Sequence, residues 1–300
     1  MVYTEIQERN GKKYYYRVHS VRVGKKVRKK RKYLGVDLEN KELKKKEQEA
    51  DRELPLLNTL LIKEEIDFLG SVKKKFSKEA KEGYKNRYES FVSLFTYDST
   101  TIEGNTLTLR ETAGVLFENL VPAKKSMREI YEVQNHKKAF DYMLNYKEDI
   151  TKDFICELHK LVVANTLSEE LTQKIGKYRN IQVFIRGASI IPSKPQEVHQ
   201  KMTALLSWYT KNKKKIHPLI VAAYFHVEFE KIHPFVDGNG RVGRLLLNFI
   251  LHKNKFPMVN IPNKKKLKYY ELLEKAQIKE EYRDFVLFLL NLIKGGEIRF

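Results

Sequence analysis

Two apolar runs at helical spacing, separated by a short stretch that cannot itself be helical, constrain this chain more than any other feature. His217–Lys231 carries Leu219, Ile220, Ala223, Tyr224, Val227 and Phe229, and a second run from Arg241 carries Val242, Leu245, Leu246, Phe249 and Ile250. That periodicity describes two helices with wide apolar faces, each of which must be buried against further helices. Pro234 sets the end of the first run, because proline disfavours the helical conformation at the residue before it. The connection is HPFVDGNG, residues 233–240.

The rest of the chain supplies partners for those faces. Leu60, Ile62, Ile66 and Leu69, then Tyr84, Tyr88, Phe91, Leu94 and Phe95, recur at helical spacing between Leu56 and about Tyr97. Thr108-Leu-Arg-Glu111 is a capping box, in which hydroxyl and carboxylate each satisfy a backbone N–H at a helix start. Further helical patterns cover Ser126–Tyr146, Thr151–Asn165, Pro195–Asn212, Lys265–Gln277 and Glu281–Lys294. Only Ile181–Ile185 and Ile190–Ile191, around Arg186-Gly187, read as extended in this region and predict one small β-hairpin.

The N-terminus differs. Val2–Gln7, Lys13–His19 and Lys26–Tyr33 are rich in Val, Tyr and basic residues and are separated by Asn10-Gly11 and Gly24. Asn-Gly between such runs is a strong hairpin signal, so residues 1–36 predict a small antiparallel β meander. From Asp37 to Glu53 the pattern becomes helical and highly charged, with Pro55 breaking it. The expected organisation is a basic meander over 1–36, a helical connector over 37–85 and a mainly α domain over 86–300.

The net charge of +20 makes anionic partners a class to consider. It is concentrated at the start: residues 1–50 hold 16 Lys/Arg against 7 Asp/Glu. The absence of any run of about 18 apolar residues argues against a membrane span. MVYTEIQERN lacks an apolar signal core, and the single Cys156 cannot form an internal disulfide; both features fit a cytoplasmic location.

Several chemical roles gather in the loop 233–244. Gly238 and Gly240 permit positive φ and close backbone approach, so N–H groups can converge at a helix start. With the positive end of the helix dipole, Arg241 and Arg244 one turn apart could hold a di- or triphosphate. Asp237 is the hard oxygen ligand that a Mg²⁺ bridging those phosphates takes, and His233 titrates near neutrality and could accept a proton from a hydroxyl. The plainer reading also stands: a Gly-Asn-Gly turn between helices, His233 capping one of them, and surface arginines.

HPFVDGNGRVGR, residues 233–244, resembles the signature of Fic domain proteins. ELHKLV at Glu157–Val162, GKYRN at Gly176–Asn180, HPLIVAAYFHVEFEKI at His217–Ile232 and the Tyr269-Tyr270 pair resemble the same family, so the likeness spans roughly residues 90–290. The resemblance implies a Fic-type helical bundle with a β-hairpin flap, and transfer of AMP from ATP to a hydroxyl of a target protein. It would make His233 the general base, Asp237 the Mg²⁺ ligand, Gly238, Asn239 and Gly240 the anion hole, and Arg241 and Arg244 the binders of the β- and γ-phosphates. The Gly-Asn-Gly-Arg form resembles the AMP-transferring branch; the Doc-type kinase branch usually has Ala-Asn-Lys-Arg. Tyr269 and Tyr270 would wall the adenine, with core packing as the equal alternative, and Ile181–Ile191 would be the flap that aligns the target by strand pairing. His226, two turns before His233, reads as a hydrogen-bonded structural histidine.

Ser99-Thr-Thr-Ile-Glu103-Gly104-Asn105 resembles the family's inhibitory motif, placed in a helix around residues 90–104. The resemblance implies that Glu103 pairs with Arg244 and denies it to the γ-phosphate, with Ser99 holding the brake in place. A carboxylate and a phosphate compete for the same guanidinium fork. In some relatives the same glutamate helps remove AMP, so removal of AMP, or transfer of another nucleotidyl group, is an alternative on the same scaffold.

Residues 1–36 lie outside the resemblance. Tyr14, Tyr15, Tyr16 and Tyr33 among lysines and arginines could stack bases along a nucleic-acid backbone. Otherwise the sheet packs on the helical body or supports a homodimer, its lysines guarding the edges. A nucleic-acid-binding regulator with a nucleotide-sensing Fic module is therefore the competing class of function.

Overall fold

The computed structural model describes all residues except 1, 24–25, 54–56, 58–59, 79–82, 186 and 297–299. The chain divides into two compact units, Met1–Phe68 and Leu69–Phe300.

In the first unit β1 (Val2–Arg9), β2 (Lys12–Val23) and β3 (Lys26–Val36) form an antiparallel sheet in the order β1-β2-β3. Asn10 and Gly11 both take positive φ, 51° and 72°. That backbone is the one a two-residue hairpin needs to match strand twist. A bulge at Tyr15/Tyr16 shifts the register against β3. Helix α1 (Asn40–Glu53) lays Ala50 and Leu43 with Leu38 against Tyr15 and Leu34, so the charged helix still buries one apolar edge on the sheet. Tyr33 is half exposed, its ring 5.4 Å from Tyr16 and 6.4 Å from Tyr14.

Helix α2 (Lys63–Phe76) runs into the second unit, which is built from α3 (Tyr84–Ile102), α4 (Leu109–Phe117), α5 (Met127–Asn145), α6 (Lys152–Val163), α7 (Pro195–Asn212), α8 (Pro218–Ile232), α9 (Asn239–Lys253), α10 (Lys266–Lys279) and α11 (Arg283–Gly295). The Thr108/Glu111 capping box is made in both directions, Glu111 N to Thr108 Oγ1 at 3.2 Å and Thr108 N to Glu111 Oε2 at 2.7 Å. Helix α9 is the centre of the bundle, packed by α3, α5, α6 and α8. Val242, Leu245, Leu246, Leu247, Phe249, Ile250 and Leu251 are all buried, so it is apolar around most of its circumference, as a central helix must be. The four polar side chains it buries, Asn239, Arg241, Arg244 and Asn248, therefore each need a reason.

The expected hairpin over 181–191 is not a β-ladder. Among the described residues of that stretch none is in a strand; the chain turns through Ala188 N to Ile185 O at 3.2 Å, and Gln182 Nε2 reaches Val183 O and Pro192 O. The alternation in Ile181–Ile185 predicts a strand, but two short arms with no third strand bury too little to hold a ladder.

Candidate active site

His233 ends α8 in the left-handed conformation, φ 52° and ψ 64°, its N–H still bonded to Phe229 O at 2.8 Å. A non-glycine residue held there is costly and needs support from its surroundings. Arg179 supplies that support. Its Nε donates to His233 O at 2.7 Å, its Nη2 to Ser193 O at 2.5 Å and Ile232 O at 3.2 Å, its Nη1 to Ile181 O at 2.9 Å, and its backbone N to Pro234 O at 2.8 Å. One guanidinium thus ties the loop after α8 to both arms of the 181–193 segment.

His159 of α6 fixes the middle of the loop. Its Nδ1 accepts from Gly176 N at 2.9 Å, which leaves the proton on Nε2 to donate to Asp237 O at 3.1 Å. Its ring stacks on Phe235, centroids 3.8 Å apart and planes 3° from parallel. Burial holds His159 down at about 4, so the ring stays neutral in that bridging tautomer. The Asn239 side chain closes the loop on itself, accepting from Phe235 N at 2.8 Å and donating to Phe235 O at 2.9 Å. Its amide therefore shapes the loop, and what Asn239 has to offer an anion is its backbone N–H.

Helix α9 begins at Asn239, two residues earlier than the apolar periodicity predicts, because Gly238 serves as its cap at φ 77°. Of the two glycines only Gly238 uses positive φ; Gly240 is within the helix and its value is space. A Cβ at Gly240 would collide with Glu103 Oε1 and lie 3.0 Å from Arg244 Nη1. The first N–H groups of α9 have no intrahelical acceptor and point out of its positive end.

Around that end stand two arginines, each almost completely buried. Arg244 donates from Nε to Ser99 Oγ at 2.9 Å, and from Nη2 to Ser99 O at 2.8 Å and Glu103 Oε1 at 2.7 Å. Burial works against its charge, but Glu103 more than compensates and holds the guanidinium above its usual range. Arg241 is bound less well: Nη2 reaches Asp237 Oδ1 at 3.4 Å, Nη1 lies 3.9 Å from Glu132 Oε1, and neither Nε nor Nη1 has a hydrogen-bond acceptor among the described residues. Asp237 is partly exposed and also meets Arg128 Nη2 at 3.5 Å. His233 has its Nδ1 buried, and burial brings the ring down to about 4, so at neutral pH it is the uncharged base form.

Tyr269 and Tyr270 part company. Tyr269 is core, its hydroxyl 2.8 Å from His226 Nε2 and its ring near Phe285, whereas Tyr270 is partly exposed. The expected structural role of His226 agrees with that bond. Arg179 and His159 lie in the GKYRN and ELHKLV stretches, but a role for either comes only from the geometry; Glu132 and Arg128 carry no sequence signal of their own.

Residues 149–251 match the Fic/DOC family. The chain carries a Fic/DOC domain. Over 198 residues it is 35% identical to Protein adenylyltransferase Fic of Nematostella vectensis, covering 64% of this chain and 45% of that protein. It is 36% identical over 199 residues to Protein adenylyltransferase Fic of Drosophila melanogaster, covering 65% and 39%. The chain therefore matches less than half the length of these curated relatives. Among solved structures it is similar to a Fic domain containing signaling protein from Bacteroides thetaiotaomicron, with a TM-score of 0.69 at 27% identity over 76% of this chain and 93% of that one. It is equally similar to Fic-1 (aa134–508) from C. elegans, with a TM-score of 0.69 at 27% identity over 86% and 76%. The mainly α bundle is thus a Fic fold. The matched span holds His233, Asp237, Arg241 and Arg244, while Ser99 and Glu103 precede it and reach it through α3.

Proposed function

We propose that this Fic domain transfers AMP from ATP to a hydroxyl of a target protein, and that the structure represents its braked state. The relatives named adenylyltransferases support the reaction class. The observation that carries the brake is Glu103 Oε1, 2.7 Å from Arg244 Nη2 and lodged over Gly240, where a phosphate at the head of α9 would place an oxygen.

The α9 N-terminus and the unused donors of Arg241 form the anion site. In the transfer step the target hydroxyl attacks the α-phosphorus and gives its proton to His233. Its Nε2 is the ring nitrogen for that task, since Nδ1 is buried. The bond from the α-phosphorus to the bridging oxygen breaks, and pyrophosphate leaves with the electron pair, its charge met by Arg241, Arg244 and the helix end. Positioning and neutralisation of this kind do most of the work in phosphoryl chemistry. The donor set fits a magnesium ion: Asp237 offers a partly exposed carboxylate whose arginine contacts are long, 3.4 and 3.5 Å. Among the described residues no group of three His, Cys, Asp or Glu gathers as a metal cage; magnesium normally takes one or two carboxylates and completes its shell with phosphate and water. Asp237 would hold the ion, which would neutralise phosphate charge. Tyr270 is the aromatic side chain available to the base.

The test is incorporation of label from [α-³²P]ATP into protein, with wild type, Glu103→Gly and His233→Ala compared in parallel. Label that rises with Glu103→Gly and vanishes with His233→Ala supports the reading; no label with any variant that still binds ATP overturns it.

A further inference from the structure

Glu230 is a buried carboxyl for which the transfer step above has no use. It lies in the last turn of α8, 7% exposed at its side chain, and its Oε1 has no hydrogen-bond partner among the described residues. The neighbouring helix makes room for it: a Cβ at Gly243 would collide with Glu230 Oε1 and lie 3.1 Å from His226 Nδ1. Its other oxygen, Oε2, is 3.7 Å from His233 Nδ1. The Glu230 side chain and backbone carbonyl are the acceptors facing that nitrogen, which has no hydrogen bond of good geometry. A buried unpartnered acid is destabilising as a merely structural group, and an apolar side chain would fill the same volume without that cost.

We propose that Glu230 is a positioning residue for His233, its carboxylate orienting the ring through Nδ1–H and balancing the positive charge that the imidazole gains when Nε2 takes the hydroxyl proton. The arrangement is that of a base held by a third group on its far nitrogen. It rests on the adenylyl-transfer reading, to which it adds the residue behind the base.

The inference carries a pH signature. The groups facing Glu230 are Glu103 just past the end of α3, His226 in α8 and His233 just past its end, Arg244 from α9, and Tyr269 and Tyr270 from α10. Burial raises Glu230 to about 8; Arg244 pulls it down and Glu103 pushes it up. A raised carboxyl is neutral below that value and anionic above it, so support for His233 grows as pH rises. Removing the Glu103 charge moves the midpoint to lower pH.

The test combines two readouts on the full chain. In the Glu103→Gly background, kcat should climb about tenfold as Glu230 ionises, one pH unit of ionisable form being a factor of ten. Adding Glu230→Gln should flatten that rise with the KM for ATP within about twofold, and Glu230→Asp should restore it. Independently of activity, the ¹³Cε1 resonance of His233 in nucleotide-free protein should step near pH 8, and the step should vanish in Glu230→Gln. Superimposable pH profiles with and without Glu230→Gln overturn the proposal, as does a His233 resonance that ignores the substitution. Absence of transfer in every variant sinks adenylyl transfer instead, and the resonance still decides whether Glu230 supports His233.

Discussion

Glu103 Oε1 accepts a hydrogen bond from Arg244 Nη2 at 2.7 Å, joining residues 141 positions apart in the chain. Arg244 is 2% exposed and Glu103 35%, so the carboxylate can swing out into water while the guanidinium cannot follow it. The pair is therefore an asymmetric latch, with Ser99 holding Arg244 in place whether or not the glutamate is there. Replacing Glu103 by Gly should leave the arginine poised for phosphate. A hydrogen bond to a charged group contributes about 1.5–3 kcal/mol, so ATP should bind roughly 10- to 100-fold more tightly. Isothermal titration with ATP and Mg²⁺, wild type against Glu103→Gly, reads this directly, and equal affinities would remove the brake.

Helix boundaries were the most legible part of the fold. Pro195 and Pro218 at the first positions of α7 and α8, and the Thr108/Glu111 box of α4, are local signals that tertiary packing did not override. The loop 233–244 stood out in the sequence because its polar groups are contiguous, and the Glu103–Arg244 contact because the motif places a carboxylate at a fixed distance from a serine. Arg179, His159 and Glu230 were not, since each acts through backbone carbonyls or a void at Gly243 supplied by distant segments. Tyr269 and Tyr270 are adjacent on one helix, and only the packing of α10 on His226 and Phe285 sorts one into the core.

Acid should unfold this domain early. Burial lowers His159, His217 and His233 to about 4, His226 to about 3, and His136 well below its usual value. Each remains neutral in the folded chain down to its own depressed value, whereas the unfolded chain takes up protons from about pH 6.5 downward. The unfolded state binds more protons in that window, so stability falls as pH drops from about 6.5 towards 4. Melting followed by circular dichroism should show Tm declining steadily over that range, and a flat Tm would contradict the buried-neutral assignment.

The same burial would set the acid limb of the proposed transfer. A base with an ordinary histidine value would lose activity below about pH 6.5, whereas His233 at about 4 keeps its accepting form well into the acid range. In a Glu103→Gly, Glu230→Gln background, where the Glu230 step is absent and the Glu103 charge no longer raises His233, the acid limb of kcat/KM should lie at or below about pH 4, so activity stays level over the range in which the protein stays folded. His233→Ala should abolish transfer and leave ATP binding intact, since in the proposed step that ring takes the proton while the donors facing the phosphates are on other residues.

Arg179 offers the strictest test of how the loop is held. Four side-chain hydrogen bonds to the carbonyls of Ile181, Ser193, Ile232 and His233 use all three guanidinium nitrogens. Lysine keeps the charge but is a point donor on a flexible stem and cannot span carbonyls from two segments. Arg179→Lys should therefore cost about 2–4 kcal/mol, or a Tm lower by roughly 5–10 °C for a domain of this size. Because His233 would lose the contact that offsets its left-handed backbone, kcat should fall more than stability alone requires, with the KM for ATP little changed. A variant that melts early yet retains full kcat when folded would show that α8 holds the base without help from Arg179.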